Sequence, residues 1–396
     1  MHDTQKIDFP FHQSEFEIKI TTFQGLETVL AEELLKLGGK SIQEFKRGVS
    51  VSGDWGFVYK CNYCLRTAIK VLVPIHKFKA QNAQQVYDAV YQLPWETLFL
   101  AEHRFLVESV VKSEYFNNSM FCNQRVKDAV VDRFRNCAGK RPNVDRNNAE
   151  IRIYAHVNAD AWMLALDTSG EPLYKRGYKT EHHEASMKEV LAAGLLKLSG
   201  WSTHHYFLDG MSGSGTIAME AALMALQIPA GMYRNRFAFE FLSDFNAPLW
   251  STVKDAALSR IKETKIHIQA NDMQLKSYRS IIATVNSAQL DDSITCTQKS
   301  FFELSPESKS GVVFLNPPYG ERLPVNEITN FYKEIGNTLK RQYAGFTAWI
   351  ISSNSEAIKH IGLKPSKKYT VYNGALECKF LGFELYDGSR KLKSKP

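Results

Sequence analysis

The chain has 396 residues and is 44% hydrophobic, which is enough for two or three domains with their own cores. Its formal charge of +7 indicates an anionic partner only mildly, and its charged fraction of 23% excludes a chain that is disordered throughout. No apolar run approaches the roughly 18 residues of a membrane span, the amino terminus has no secretory pattern, and the six scattered cysteines fit a reducing compartment, so we expect a cytoplasmic protein without a membrane partner.

Short strand and helix patterns alternate over the first 168 residues. FEIKITTF (16–23) alternates as a strand does, and LETVLAEELLKLGG (26–39) has helical spacing before a helix-stopping glycine pair. A further helix is predicted around VYKCNYCLRTAIKVL (58–72). Other helices are predicted near 83–93 and 123–135, and other strands over 49–53, 104–111, 150–157 and 162–168. This mixture favours small α+β units packed in series.

A lone CxxC pair, Cys61 and Cys64, lies in the 58–72 segment. A tetrahedral zinc site needs two more ligands at suitable spacing, and the sequence has no second CxxC. Two small buried residues on one helical turn are the simpler interpretation, and we expect no metal.

Basic residues are concentrated between residues 125 and 152, where eight Lys and Arg accompany four Asp and Glu. The segment fits either a solvated helix face or a surface that faces RNA, and it includes the polar loop CAGKRPNVDRNN (137–148). The residues predicted to contact RNA are Arg125, Arg133, Arg135, Lys140, Arg141 and Arg146.

The second half alternates regularly between apolar strands and helices. Strands are predicted over 205–209, 265–272, 293–298, 311–317 and 346–353, and helices over 187–200, 216–226, 274–289 and 327–342. This alternation is typical of a parallel, doubly wound α/β sheet. Such sheets bind ligands at the carboxyl ends of their strands, so the loops at those ends are the candidate site.

A glycine-rich turn, FLDGMSGSGTIAMEAA (207–222), is the first chemical signal. An apolar strand ends at Asp209, Gly213 and Gly215 allow a sharp turn with close approach of a ligand, and Thr216 opens a helix. The turn is neither a dinucleotide GxGxxG nor a Walker loop. A plain strand-to-helix connection is the alternative interpretation.

The next strand ends in Asn271 and Asp272. An acid at the end of the second strand of such a sheet can accept hydrogen bonds from ribose hydroxyls, although it can also cap the following helix. Together with the glycine turn, Asp272 points to a ligand that contains a nucleoside.

The sharpest signal is VVFLNPPYGERL (312–323). Two prolines stiffen the peptide after an apolar strand. An aromatic amine is a poor nucleophile because its lone pair is delocalised, and it improves when acceptors hold both N–H bonds. Asn316 Oδ1 and the Pro317 carbonyl are the predicted acceptors, and Tyr319 offers a face on which a base can stack.

Two motifs resemble a known class of enzymes. LDGMSGSGTIAMEAA (208–222) and LNPPYGER (315–322) are similar to motifs one and four of class I amino-methyltransferases. The stretch at 172–201 is similar to the segment that leads into the catalytic domain of THUMP-domain methyltransferases of the RlmL-like branch. The resemblance covers nearly the whole chain.

The resemblance implies a Rossmann-like class I methyltransferase domain over residues 169–390. It also implies a ferredoxin-like segment over 1–54, a THUMP RNA-binding domain over 55–168, and a basic tail over 391–396. The implied reaction is transfer of a methyl group from S-adenosylmethionine to guanine N2 in large-subunit (23S) ribosomal RNA.

The family pattern also implies roles for individual residues. Asn316, Pro317 and Tyr319 would hold the target amino group. The residues implied at the cofactor are Asp209, Gly213, Gly215, Thr216, Asp272, Ser300 and Glu189. For Glu189, an exposed turn of helix is the alternative.

Departures from the family pattern keep alternatives open. Gly210 and Ser212 replace a proline and a cysteine-type residue, and Ser300 replaces the usual aspartate at adenine, with Phe301 or Phe302 available to pack on the ring. One alternative is therefore a non-catalytic RNA-binding protein with a decayed cofactor site. A second alternative is methylation of adenine N6 in DNA or RNA, because NPPY also occurs in adenine-N6 methyltransferases. A third is methylation of guanine N2 in tRNA.

Overall fold

The computed structural model describes residues 14–179, 187–318 and 325–386. The chain divides into two compact units. The first unit comprises residues 1–22, 30–175 and 230–259, and the second comprises 23–29, 176–229 and 260–396.

The first unit is built on one seven-stranded sheet with the order β2-β3-β1-β4-β7-β6-β5. Its strands are β1 Phe16–Thr21, β2 Lys40–Phe45, β3 Gly48–Gly53, β4 Lys70–Lys79, β5 Phe105–Lys112, β6 Ile151–Asn158 and β7 Ala161–Asp167. The helices that begin in this part of the chain are α1 Glu27–Leu37, α2 Trp55–Cys64, α3 Ala83–Tyr91, α4 Trp95–Leu98 and α5 Ser119–Ala138.

The strand β4 joins the two halves of this sheet. It pairs antiparallel with β1 on one side and with β7 on the other. The small α+β units that the sequence predicts in series are therefore joined, because their strands share one hydrogen-bonded sheet and one hydrophobic core.

The predicted helix over 58–72 was wrong in its second part. The helix α2 ends at Cys64, and Leu65 is already extended, with φ −68° and ψ 131°. Lys70–Lys79 is a strand, consistent with its β-branched residues and with Pro74, which a helix interior tolerates poorly. Cys61 is buried and Cys64 partly buried, and both lie at the end of α2, on one helical turn as predicted.

Residues 230–259 belong to the first unit although the residues directly before them, 176–229, belong to the second. They form a 3-10 turn, Ala238–Phe241, and the helix α8, Ala247–Leu258. Phe239 and Trp250 pack on Tyr59, with ring centroids 4.5 and 6.0 Å from it. This aromatic cluster is part of the first unit's core.

The second unit is built on a seven-stranded sheet with the order β10-β9-β8-β11-β12-β14-β13. Its strands are β8 Phe207–Asp209, β9 Ile268–Asn271, β10 Ile294–Thr297, β11 Gly311–Leu315, β12 Phe346–Ser352, β13 Lys367–Asn373 and β14 Leu376–Glu384. Its later helices are α6 Glu189–Ser199, α7 Thr216–Ala225, α9 Leu275–Ser287, α10 Val325–Gln342 and α11 Ser355–Lys359.

The strands β8 to β12 run parallel, which confirms the predicted doubly wound fold. An antiparallel hairpin, β13–β14, extends the sheet beyond β12. The carboxyl ends of β8, β9, β10 and β11 lie along one edge, and the loops that follow them carry the predicted site residues. No helix in the described ranges has the length and apolar content that a membrane span requires.

Candidate active site

The glycine turn has the backbone that its sequence predicts. Gly213 and Gly215 have φ of +56° and +75°, a region that side-chain-bearing residues rarely adopt. Gly215 caps the helix α7, and buried Thr216 begins it. The turn therefore brings a helix amino terminus to the end of β8, where its free N–H groups favour an anionic ligand group.

Asp209 ends β8 and is fully buried. Its Oδ2 accepts a hydrogen bond from the Ala218 N–H at 3.2 Å, and its Oδ1 has no hydrogen-bond partner among the described residues. Burial raises the pKa of Asp209 to about 8, the hydrogen bond from Ala218 opposes this rise, and the nearby Asp272 carboxylate adds to it. A buried acid of this kind gains most from a cationic ligand group at its open oxygen.

Asn271, at the end of β9, links three loops. Its Nδ2 donates to the carbonyls of Gly210 and Lys299 at 3.1 and 3.0 Å, and its Oδ1 accepts from the Thr297 hydroxyl at 2.9 Å. The Asn271 carbonyl accepts from both the N–H and the hydroxyl of Ser212 at 3.0 Å. Sequence reasoning gave Asn271 no role. The only local sign of one was its position directly before Asp272.

Asp272 fixes the same turn from the other side. Its Oδ2 accepts from the Gly213 N–H and its Oδ1 from the Gln274 N–H, each at 2.9 Å. The carboxylate thus ties the glycine turn to Gln274, the N-cap residue of α9, but Asp272 is not itself the N-cap that the capping interpretation expected. Each carboxylate oxygen keeps a further lone pair with which to accept from a hydroxyl.

Asn316 follows β11, the strand beside β8. The register pairs Phe314 with Asp209, and the Gly210 N–H donates to the Phe314 carbonyl at 2.9 Å. Asn316 Oδ1 is buried and accepts no hydrogen bond from the described residues. Pro317, which has no N–H, is buried behind it. The structure therefore brings the glycine turn and the NPP segment together; Tyr319 lies outside the described residues.

The departures at Gly210 and Ser212 have structural explanations. A Cβ at position 210 would lie 2.8 Å from Leu315 and 2.9 Å from Phe301, so these side chains occupy the space that a larger residue needs. Ser212 holds the turn to β9 through its two hydrogen bonds to Asn271.

The loop after β10 corrects one expectation. Phe301 is only 3% exposed and stacks on Tyr343, with centroids 5.4 Å apart, so it is not available to pack on an adenine ring. Phe302 is partly exposed and packs edge-on to Phe331. Ser300 is partly exposed at the start of the 3-10 turn Phe301–Glu303, and its carbonyl accepts from the Glu303 N–H at 3.0 Å.

Glu189 is buried at the first position of α6, so the exposed-turn interpretation was wrong. Its carboxylate lies 2.8 Å from the Lys179 ammonium. Nearby in the same unit, buried Arg176 donates to Glu220 of α7 at 3.2 Å; burial lowers the pKa of Arg176, but the Glu220 carboxylate more than offsets this and keeps it raised. Sequence reasoning missed this second pair, which anchors the helix that follows the glycine turn.

The predicted RNA-contacting residues lie on α5 and the following loop of the first unit. Arg133 donates to Glu96, Arg135 lies 3.1 Å from Asp132, and Lys140 lies 3.0 Å from Glu102. Arg125 lies over the Tyr87 ring, 5.6 Å from its centroid, and Arg141 and Arg146 are exposed. Three of these six cations therefore already have carboxylate partners.

Family models match three consecutive parts of the chain. Residues 17–72 match the RlmL ferredoxin-like domain, residues 80–167 match the THUMP domain, and residues 176–381 match the RMKL-like methyltransferase domain. The chain belongs to the RMKL-like methyltransferase family. The recognition of this family, the fold class and the order of the three modules are thereby confirmed, while the predicted domain boundaries stay predictions.

Relatives agree over most of the chain. It is 33% identical to "Putative RNA methyltransferase slr0064" of Synechocystis over 92% of its own length and 96% of that protein. It is 35% identical to the ribosomal RNA large subunit methyltransferase K/L of Syntrophotalea carbinolica over 92% of its length and 53% of that protein. The chain thus spans about half the length of the K/L relatives that it matches.

Two solved structures share the fold over nearly the full length. SMU.472, crystallised in complex with SAH, has a TM-score of 0.85 and 26% identity over 95% of this chain and 100% of that one. A predicted N6-adenine-specific DNA methylase from Listeria monocytogenes has a TM-score of 0.83 and 26% identity over 94% of this chain and 96% of that one.

Proposed function

We propose that this chain transfers a methyl group from S-adenosylmethionine to the exocyclic N2 amino group of a guanine in large-subunit ribosomal RNA. The observation that carries the proposal is Asn316 Oδ1, a buried acceptor without a partner among the described residues, beside a glycine turn that follows the buried acid Asp209. Leaving such an acceptor unpaired costs about 1–3 kcal/mol, which an amino group of the substrate would recover.

The residues around the glycine turn fit the cofactor. Asp209 Oδ1 is an open, buried acceptor for the cationic methionine end, and Gly213 and Gly215 allow the backbone to approach it closely. Asp272, partly exposed beside the turn, is the candidate acceptor for the ribose hydroxyls. When bound, S-adenosylmethionine supplies an electrophilic methyl group on a sulfonium. Ser300 and Glu189 stay predictions as cofactor contacts, since Glu189 is already paired with Lys179.

The NPP segment is proposed to prepare the target amine as a nucleophile. Asn316 Oδ1 accepts one N–H of the target amine, and the Pro317 carbonyl is proposed to accept the other. Two acceptors placed in this way favour a tetrahedral nitrogen, whose lone pair is free to attack in line. The hydrogen bond from Gly210 to the Phe314 carbonyl fixes the distance between the two loops, so the rate gain comes from positioning. Stacking of the base on Tyr319 is part of the proposal.

The RNA substrate rests on the relatives and on the THUMP match. Curated K/L relatives are named for methylation of large-subunit ribosomal RNA, and guanine N2 is the target implied by the RlmL-like resemblance. The cytoplasmic location stays a prediction that agrees with this substrate.

Mass spectrometry of nucleosides tests the whole proposal. Large-subunit ribosomal RNA from cells that lack the gene should gain N2-methylguanosine when incubated with the purified chain and S-adenosylmethionine. Gain of N6-methyladenosine instead would favour the second candidate, which the Listeria structure's description supports. Methylation of tRNA but not ribosomal RNA would overturn the ribosomal assignment, and absence of cofactor binding at millimolar concentration would favour the decayed-site alternative.

A further inference from the structure

A groove separates α11 from the β13–β14 hairpin in the second unit. Its volume is about 440 Å³, within the range of small-ligand sites. Leu381 and Phe383 of β14 form its apolar floor, and Ile358 of α11 and Leu363 form its wall. None of the residues discussed above as cofactor or amine contacts lines it.

The rim of this groove is basic. Lys359, Lys368 and Lys379 line it, and none of the described lining residues is acidic. Lys359 pairs with Glu356 at 2.8 Å and Lys379 with Glu377 at 2.7 Å, whereas Lys368 makes no ion pair with any described residue. The segment 355–379 as a whole carries five lysines and two glutamates, so the rim keeps a positive surplus.

One end of the groove lies at the edge of the sheet that carries the candidate active site, and its floor extends from there toward the middle of the sheet. Lys379 pairs in register with Ser352, the last residue of β12, and Ile350 of β12 pairs with Leu315, directly before Asn316. Two strand spacings, about 10 Å, separate β14 from β11. A nucleic-acid strand that presents one base to Asn316 therefore passes within reach of the groove.

We propose that the groove binds a nucleotide of the RNA substrate that flanks the target base. Its base inserts between the apolar floor and wall, and its phosphate lies at Lys368, the groove lysine that has no ion pair within the described part of the chain. Single-stranded RNA is recognised by splayed bases in pockets of this kind, with lysines at the backbone. The inference rests on the proposed function only in taking RNA as the substrate.

Two variants and one matched control test the groove in the full-length chain. Lys368→Glu removes the phosphate contact. Ser355→Trp, at an exposed rim position, fills the groove without changing its charge. Lys265→Glu makes the same charge change at the opposite edge of the same sheet, before β9. The probe is protein-free large-subunit ribosomal RNA from cells that lack the gene, measured by filter binding.

Both groove variants should raise the RNA Kd by about three- to tenfold, and Lys368→Glu should also lower the salt slope by about one. Lys265→Glu should change the Kd less than about twofold, and cofactor binding should stay unchanged in all three variants. An effect of Lys368→Glu without one of Ser355→Trp would show charge attraction alone and overturn the nucleotide site, as would two groove variants that bind like the wild type.

The binding assay also separates the two proposals. If the wild-type chain transfers no methyl group to this RNA but the groove variants still weaken binding, the proposed function fails and the groove stands. If transfer occurs and the groove variants bind normally, the groove fails and the function stands.

Discussion

The edge of the β8–β11 sheet and the basic segment on α5 were both predicted to be functional, but their chemistry differs. At the sheet edge, Asp209 Oδ1 and Asn316 Oδ1 are buried and have no partner among the described residues. On and after α5, Arg135 and Lys140 already have carboxylate partners at about 3 Å. The first region keeps unpaired hydrogen-bond acceptors in a buried setting, whereas the second already pairs half of its predicted RNA-contacting cations with carboxylates at the surface.

Because of this contrast, the sheet edge is the stronger candidate for a ligand site than the basic segment is for an RNA surface. An unpaired buried oxygen costs stability and persists where a ligand repays that cost. A surface ion pair contributes little to stability and is easily exchanged for a phosphate contact, so its presence neither supports nor excludes RNA binding. The experiments below test each region by the property that distinguishes it.

The largest effect is expected from Asn316→Ala. Loss of an acceptor that holds the reacting amine should lower kcat by about 100-fold or more, by analogy with the removal of one preorganised polar group from an active site. Cofactor affinity, measured by calorimetry, should change little. Asn286→Ala, an exposed position on α9, is the matched control and should leave kcat unchanged. Equal rates for Asn316→Ala and the control would contradict the role of Asn316.

Because of Asp209, cofactor binding should be coupled to the release of a proton. With a pKa of about 8, the carboxyl is mostly protonated at pH 7 before binding, and a cationic ligand stabilises its ionised form. Binding at pH 7 should therefore release about one proton, seen as a dependence of the calorimetric heat on the ionisation enthalpy of the buffer. Asp209→Asn should abolish this release and weaken binding; an unchanged proton release would locate the titrating group elsewhere.

The same pKa predicts a stability effect with a definite sign. Because the folded state binds a proton that the unfolded chain loses near pH 4, the free energy of unfolding should fall as the pH rises toward 8 and level off above it. Asp209→Asn, which stays neutral, should remove that part of the slope. Chemical denaturation at pH 6 and pH 8.5 measures it, and parallel slopes for both proteins would be evidence against a buried neutral acid.

The smallest effect is expected in the basic segment. Arg141→Ala should weaken RNA binding by a few-fold and lower the salt slope by about one, since it removes an exposed cation. Arg135→Ala should have a smaller effect because Asp132 already compensates that charge. Filter binding against salt concentration compares them. A larger loss for Arg135→Ala would reverse the ranking that the ion pairs predict.

Local sequence was sufficient to predict a feature where one short motif determines both the side-chain chemistry and the backbone conformation. The glycines at 213 and 215 predicted a turn that only they adopt easily, and the apolar run before Asn316 predicted a strand that delivers it to the sheet edge. These features depend on neighbours in the chain, so a motif reveals them.

Features that depend on distant contacts were not predicted. The assignment of residues 230–259 to the first unit rests on packing of Phe239 and Trp250 against Tyr59, far away in sequence. The burial of Phe301 rests on Tyr343. The hairpin β13–β14 is local and was missed for another reason, because the turn signal of Asn373 and Gly374 was not used. The linking role of Asn271 became visible only with three loops in place.

The close packing at Gly210 also constrains how this family can vary. A residue with a Cβ at position 210, such as the proline of the usual pattern, requires smaller or displaced side chains at 315 and 301, because they compete for one volume. Position 210 should therefore change together with 301 or 315 among relatives, with glycine beside the present pair and proline beside smaller residues. A sequence search that demands the proline alone would reject chains whose compensation lies 91 residues further along.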